Sequence, residues 1–594
     1  VRADRRRRFV TIGLLAPAAG LVVAGGWSAF LGRNVQVELQ ATRDILVRMR
    51  ETEPGQLGQL EGALAQARRH AQEALRLTSG YDWSLITRSP FVGEGATTVR
   101  GLAEAAAELT DVLTDVHGAG AKLLKADGLA MGSVRQLLPH LEAAAPALDV
   151  AAGRMAAARS RLAATPADTG LAVLDEARAT ALREVGRLSG WLDIAADAGA
   201  LLPPMLGHDG PRRYFLGFQT NAEARGTGGL VGAFGILKAD RGKLGIERLA
   251  ANTGLESSPR PVIDHGSAFR SRYGPSALSL LSNSNLSPHF PYAARTWTAL
   301  WERQTRQRLD GAIATDPVGL SYLLRLIGPV TLPGGEKVTA DNVIDLTERT
   351  AYARYPDPGE RKKFLITIAT SVSKAMTGAR SDPTALLSTL SRMVEERRIQ
   401  IWSRRDTEQR RLADTPLSGE LPRQPGAFAG LVVNNSAGNK LDYYLKRSLD
   451  YELGPCRADG TRVTRVRVRL FNDVPHGKLP AYASSRLDSP DRDHAMGSNM
   501  LWVSLFAAVG AKNGGMKIDG KPASLFREVE RSHPVYSTML ELGPRQTRTL
   551  ELLLLEPATA APPRVPVQPL VRPQHNRIIE NPDGCGPGTG QEDR

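Results

Sequence analysis

The rhythm of apolar and polar positions changes three times along this chain, and each change predicts a different structure. Residues 9–31 run 23 positions without a charge. At about 1.5 Å per residue, such a helix crosses a hydrocarbon core of about 30 Å. From 34 to 203 apolar residues recur at steps of three and four. Leu60, Leu64, Ala67, Ala71 and Ala74 form one stripe, and Leu102, Ala106, Leu109 and Leu113 another. The longest runs Leu171, Leu174, Ala181, Val185, Leu188, Leu192, Ala195. Stripes of this kind pack helix against helix. Breaks at Pro54-Gly55, Ser89-Pro90, 118–120, 128–132, Pro139 and Pro166 divide the segment into about five or six helices, an all-α stalk.

After 201–210 the period shortens. Residues 213–219, 230–239 and 244–250 read as strands, with 240–243 as a hairpin turn, in a mixed α/β domain over 204–425. Strand-like runs at 431–434, 441–453, 463–471, 500–508, 535–542 and 547–555 predict a β-sandwich over 426–556. The tail, 557–594, is rich in proline and then glycine and reads as extended or disordered.

Composition refines this picture at three points. The chain has 594 residues, enough for several domains, and its 42% hydrophobic content excludes wholesale disorder. The net charge is +14, but only 14 of the 76 basic residues are lysine. So strong a bias to arginine is compositional, and charge alone names no nucleic-acid partner. Arg2, Arg5, Arg6, Arg7 and Arg8 sit ahead of the apolar run. They predict a cytoplasmic segment 1–8, a single transmembrane helix 9–31 in the plasma membrane, and everything beyond it outside the cytoplasm. There, the two cysteines, Cys456 and Cys585, are expected to form a disulfide.

Candidate chemistry centres on 220–229, TNAEARGTGG, which joins two predicted strands. Two readings stand side by side: a bulged turn with close backbone approach, or a loop that offers backbone N–H groups and Arg225 to an anion. No Gly-Lys-Ser/Thr follows, and no zinc-ligand spacing occurs anywhere. Asp264-His265 with Ser257 and Ser258 can be drawn as a triad only on paper, because adjacency in sequence is not geometry.

The segment FQTNAEARGTGGLVGAFGIL at 218–237 resembles the signature of domain of unknown function 4012, found in Gram-positive envelopes. Stretches at 285–302, 309–333, 346–365 and 432–452 carry the same resemblance, over roughly 90–555. The order of segments is also similar, more distantly, to the LytR-CpsA-Psr phosphotransferases, which move polyprenyl-pyrophosphate-linked glycopolymers. That similarity implies a LytR-CpsA-Psr-like central domain. Its phosphate-binding residues would be Asn221, Glu223, Arg225, Thr227, Arg354 and Arg361. It also shows a departure: Asn221 and Thr227 stand at acidic positions, and Asn252-Thr253 replaces an Arg-Asp pair. Magnesium prefers anionic oxygens, so the expected ligand set is impoverished while the arginines could still clamp phosphate.

The reading at this level is an envelope protein that binds a phosphorylated glycopolymer or a polyprenyl-pyrophosphate carrier. It needs no cofactor and no resident metal. The membrane is a partner, nucleic acid is not, and the stalk offers a surface for self-association. One alternative is an active phosphotransferase, which would need magnesium. The other is a purely structural interaction protein.

Overall fold

The computed structural model describes residues 31–51, 57–90, 92–120, 129–130, 134–136, 138–477, 479–559 and 561–580. Five long helices open it: α1 (Leu31–Glu51), α2 (Leu57–Ser79), α3 (Gly93–Gly120), α4 (Leu138–Ala163) and α5 (Ala172–Met205). The stripes read from the sequence face inward. Leu64, Ala67, Ala71 and Ala74 of α2, the Leu102–Leu113 stripe of α3, and Leu174, Ala181, Val185, Leu188 and Leu192 of α5 are buried in two adjoining cores. Small residues set the helix spacing. At Gly199 of α5 a Cβ would already stand 3.2 Å from Ala145 of α4.

The expected transmembrane helix is corrected here. Among the described residues no helix is long and apolar enough to cross a membrane. Residues 1–30 lie outside the described residues. Leu31, expected to close the span, opens α1 instead. That helix carries Arg33, Glu38, Arg43, Asp44 and Arg48, and buries one face through Val35, Leu39, Ile45, Leu46 and Met49. It is an amphipathic member of the bundle, so the single-pass plasma-membrane placement has no structural support.

A five-stranded mixed sheet follows: β1 (Arg212–Arg225), β2 (Gly228–Asp240), β3 (Lys243–Ala251), β4 (Gly311–Thr315) and β5 (Ile399–Ser403), in the order β3-β2-β1-β4-β5. Only β1 and β4 run parallel. Their connection passes through α6 (Phe290–Thr305), whose Phe290, Trp297 and Trp301 pack with Phe215 and Phe234 on one sheet face. The other face takes the end of the bundle. Leu201 and Met205 pack on Tyr214, whose hydroxyl donates to Met205 O at 2.7 Å. Further helices cover the domain, among them α7 (Pro317–Ile327), capped by Asp316, and α8 (Pro358–Gly378), capped by Asp357.

The C-terminal strands are β6 (Ala429–Asn435), β7 (Leu445–Cys456), β8 (Thr461–Asn472), β9 (Asn499–Ala507), β10 (Lys512–Ile518), β11 (Lys521–Pro522), β12 (Phe526–Glu530), β13 (His533–Leu542), β14 (Thr547–Pro557) and β15 (Gln574–Ile579). They form two sheets, β6-β9-β13-β12 and β11-β10-β14-β8-β7-β15, over one shared core. On β8, Thr464, Val466 and Val468 point inward. The alternating arginines meet acids from flanking strands: Arg465 with Glu452 at 3.3 Å and Arg467 with Glu551 at 2.8 Å. The cationic face is neutralised within its own sheet. Cys456 ends β7. Its expected disulfide partner, Cys585, lies outside the described residues.

The Pro-rich tail departs from expectation. Residues 561–573 run as a strap between the central sheet and the sandwich, and β15 then adds in parallel to β7. Leu570 is fully buried. Proline has no N–H to satisfy, so Pro569 is buried and Pro566 half-buried at low polar cost. Gln568 serves the backbone around it. Its Nε2 donates to Arg225 O and Val433 O, both at 2.7 Å, and its Oε1 accepts from Val433 N at 2.9 Å. Replacing Gln568 by Ala leaves three buried backbone groups without partners. A loss of about 2–4 kcal/mol is expected, read as a fall in the urea midpoint. A loss below about 0.5 kcal/mol would show that the strap is not a structural tie.

Candidate functional site

The segment 220–229 explains its composition once its pairing is seen. Thr220 pairs with Leu230 and Ala224 with Gly229, so Asn221, Ala222 and Glu223 have no partner on β2. This is a wide bulge in the middle of a sheet. The glycines are required by approach. A Cβ on Gly229 would stand 2.1 Å from Thr220 O, and one on Gly226 would stand 2.2 Å from Leu286 O. The bulged-turn reading therefore describes the backbone.

A bulge leaves backbone donors orphaned, and two buried acids take them. Glu348 accepts from Ala222 N, and Asp442 from Ala224 N, each at 2.7 Å. Glu348 lies in a π-helical turn, Leu346–Thr350. Burial pushes its carboxyl up to about 8, against the pull of the Ala222 N–H. Asp442 also takes Asn435 Nδ2 at 2.8 Å and Asn499 Nδ2 at 2.7 Å. Burial raises it too.

The side chains of the bulge are consumed inside the fold. Asn221 donates to Pro569 O at 2.8 Å. Glu223 pairs with Arg225 at 2.8 Å and is in ion-pair contact with Lys440. Arg225 also donates to Ala224 O, Ser282 O and Asn435 O. Burial lowers its guanidinium to about 10. Thr227 donates to Gln219 Oε1 and accepts from Asn285 Nδ2 at 2.9 Å, while Gln400 holds its carbonyl. Stretches far apart in sequence, around 221–229, 285, 348, 435–442 and 568, converge on one buried knot.

The three expected arginines divide. Arg225 is in the knot. Arg354 turns to the surface and pairs with Glu336 at 2.8 Å. Arg361, near the start of α8, is only 3% exposed. It donates to Tyr355 O at 2.9 Å and lies over Tyr482, 3.8 Å from the ring centroid, with Tyr352 at 5.2 Å. Among the described residues no carboxylate pairs with it. Lys440 approaches the same Tyr482 ring at 5.7 Å, and burial brings its ammonium down to about 8. Lys362 reaches Thr253 Oγ1 at 3.3 Å, beside Asn252, whose buried Oδ1 has no partner. The rim of Arg361, Lys362, Lys440 and Tyr482 gathers cationic groups near the knot, with Glu223 on Lys440 as their one ion-pair partner among the described residues. Of the residues read from sequence, Asn221, Glu223, Arg225 and Thr227 come together, Arg361 lies at their edge, and Arg354 is apart.

The drawn triad dissolves. His265 Nε2 lies 3.0 Å from both Tyr292 O and Thr296 Oγ1, and burial takes its imidazole down to about 4. Sequence reading missed Glu348, Lys440, Asp442, Gln568 and Tyr482. The first three stand inside stretches already singled out, at 346–365 and 432–452. Nothing in the sequence marks Gln568 or Tyr482.

Residues 209–352 match the family described as Protein of unknown function (DUF4012). The match supports that family on this segment, a narrower span than the 90–555 expected, and similarity to the LytR-CpsA-Psr enzymes is not shown. No curated protein matches. Among solved structures, a nutrient-binding-protein candidate from Legionella pneumophila is 7% identical, with TM-score 0.15, over 23% of this chain and 46% of that one. The alignment thus spans less than half of that protein, and so slight a likeness bears on neither fold nor function.

Glu348 provides a test of the knot. Unfolded, its carboxyl titrates near 4.5; folded, near 8. Between those values the unfolded chain releases a proton that the folded chain keeps. Stability therefore falls as pH rises from about 4.5 to 8, by at most about 1.4 kcal/mol per pH unit. Glu348→Gln keeps the acceptor for Ala222 N–H and removes the titration. Its stability relative to wild type should be higher at pH 8 than at pH 5, measured by urea unfolding at both. An equal difference at the two pH values would contradict the assignment.

Proposed function

We propose that this chain, whose residues 209–352 match the DUF4012 family, is a binding protein that holds a phosphorylated ligand at the rim of its central sheet. The ligand class is a phosphorylated glycopolymer or a polyprenyl-pyrophosphate carrier. Arg361 carries the reading. A guanidinium this buried is normally met by a carboxylate; here it has two tyrosine rings and a carbonyl, with Lys362 and Lys440 close by. An anion would supply the missing countercharge and accept the planar donor fork of Arg361. Tyr482 is about half exposed, so its ring can flank a bound group.

Metal-dependent phosphoryl transfer has less support. Glu223, the carboxylate expected near the cation, is in contact with both Arg225 and Lys440. Glu348 and Asp442 are occupied by backbone and amide N–H groups. A purely structural role accounts for the knot and leaves Arg361 without an explanation.

The experiment is calorimetric titration of the protein with inorganic pyrophosphate and with farnesyl pyrophosphate. Wild type should bind, and Arg361→Gln should weaken binding about 10–100-fold, the loss of a charge-assisted hydrogen bond. The melting temperature confirms that the variant is folded. No binding by wild type, or equal affinity in the folded variant, would refute the reading.

A further inference from the structure

The loop between β8 and β9 carries a polar cluster outside the knot and its rim. Arg486 is the buried centre, its side chain 5% exposed. Its Nε and Nη2 hold the two carboxylate oxygens of Asp488 at 2.7 and 2.8 Å. Its Nη1 donates to Glu541 Oε1, on β13, at 2.7 Å and to Ser498 Oγ at 3.1 Å, and lies 3.3 Å from His494 Nδ1. Ser489 and His494 sit against this fork. Ser489 Oγ is 2.7 Å from His494 Nε2, and His494 Nδ1 is 3.1 Å from Glu541 Oε1. At Nδ1 two partners compete, Glu541, which can only accept, at 3.1 Å and Arg486, which can only donate, at 3.3 Å; the tautomer is assigned on the shorter contact, with the ring proton on Nδ1 and the Nε2 lone pair facing the hydroxyl.

A hydroxyl on Nε2, with a carboxylate on Nδ1, is the constellation of an activated hydroxyl nucleophile. Its parts are held in place. Ser489 opens a tight turn closed by Arg492 N to Ser489 O at 3.2 Å, with Pro490 at the position that favours a fixed φ. Glu541 is anchored on a strand and fixed by Arg486. Ser489 Oγ can also donate to Asp488 Oδ2 at 3.2 Å, a longer contact than the 2.7 Å to His494 Nε2.

We infer that Ser489, His494 and Glu541 form a second site, a serine nucleophile for carboxylic esters. Ser489 Oγ attacks the ester carbonyl carbon as its proton passes to His494 Nε2. The C–O bond to the alcohol breaks, and the alcohol leaves with that proton. Water, deprotonated by His494, then cleaves the acyl-serine and restores the hydroxyl. Ester and water become acid and alcohol, with no change of oxidation state. Glu541 is a positioning residue: it orients the imidazole and balances its charge. This activity goes beyond the anion-binding reading and does not rest on it.

The test uses the full chain and a fluorophosphonate probe, with mass spectrometry to locate the adduct. The adduct is expected on Ser489. His494→Ala should slow labelling about 100-fold or more, and free imidazole should restore part of the rate, which a merely structural histidine would not allow. Glu541→Gln should slow it and Glu541→Asp recover part of the loss. If the histidine variant fails to fold, Ser489→Ala, which leaves the Arg486 fork intact, decides through turnover of p-nitrophenyl butyrate. An unlabelled wild type, an adduct elsewhere, labelling of folded His494→Ala at the wild-type rate, or unchanged turnover in Ser489→Ala would each overturn the proposal. Pyrophosphate binding by Arg361 is read separately, so either site can fail alone.

Discussion

A central strand cannot skip three residues without leaving its backbone donors in need of acceptors. β1 does so between Thr220 and Ala224, and the donors at Ala222 and Ala224 are answered by Glu348 and Asp442. Those acids come from opposite sides of the chain's long excursion, one from the helical layer of the central domain and one from the entry to the sandwich. The bulge therefore ties two regions of the molecule together. Removing either acid would strand a buried N–H, at a cost of about 1–3 kcal/mol. Asn435, Asn499, Gln568 and Asn285 extend the same logic outward, each an amide that serves backbone or carboxylate at the domain junction.

This constraint decides where chemistry can occur. Charges that look available in the sequence are spent in the knot. Glu223 neutralises Arg225 and touches Lys440, and Arg225 has carbonyls for its remaining donors. Among the described residues Arg361, Arg397 and Arg447 are met by carbonyls, amides and rings and by no carboxylate, and of these Arg361 lies at the rim beside the half-exposed Tyr482. The same holds for voids. The two best-formed ones hold about 10 Å³ each, room for about one water. The ligand proposed above is accordingly placed at the surface rim, beside Tyr482, and not in the interior of the sheets.

Much of the architecture was legible because it follows from period. The stripes of α2, α3 and α5 and the alternation of β8 face the core as their spacing requires. What escaped reading has two physical causes. Strands at or next to the sheet edges, such as Lys512–Ile518 (KNGGMKI) and Gln574–Ile579 (QHNRII), bury little, so their sequences carry no apolar alternation. The buried Pro-rich strap escaped because proline hides its cost: without N–H groups it needs few partners, and only Gln568 and Leu570 mark it as interior. At the site, Asn221 to Thr227 stand out in the sequence as a cluster, and of the two readings left open there the backbone follows the bulged turn. Sequence shows which charges are near one another along the chain. It does not show Lys440 arriving from 217 residues away to occupy Glu223.

The account rests on the bulge being closed and structural in the free protein. Amide hydrogen exchange resolved at Ala222 and Ala224 measures this directly. The predicted result is protection comparable to the core strands of the central sheet, because both N–H groups are buried on carboxylates. Exchange at the rate of exposed loops, with the rest of β1 still protected, would mean that the segment is open and free to receive a ligand, and would contradict the structural role assigned to it.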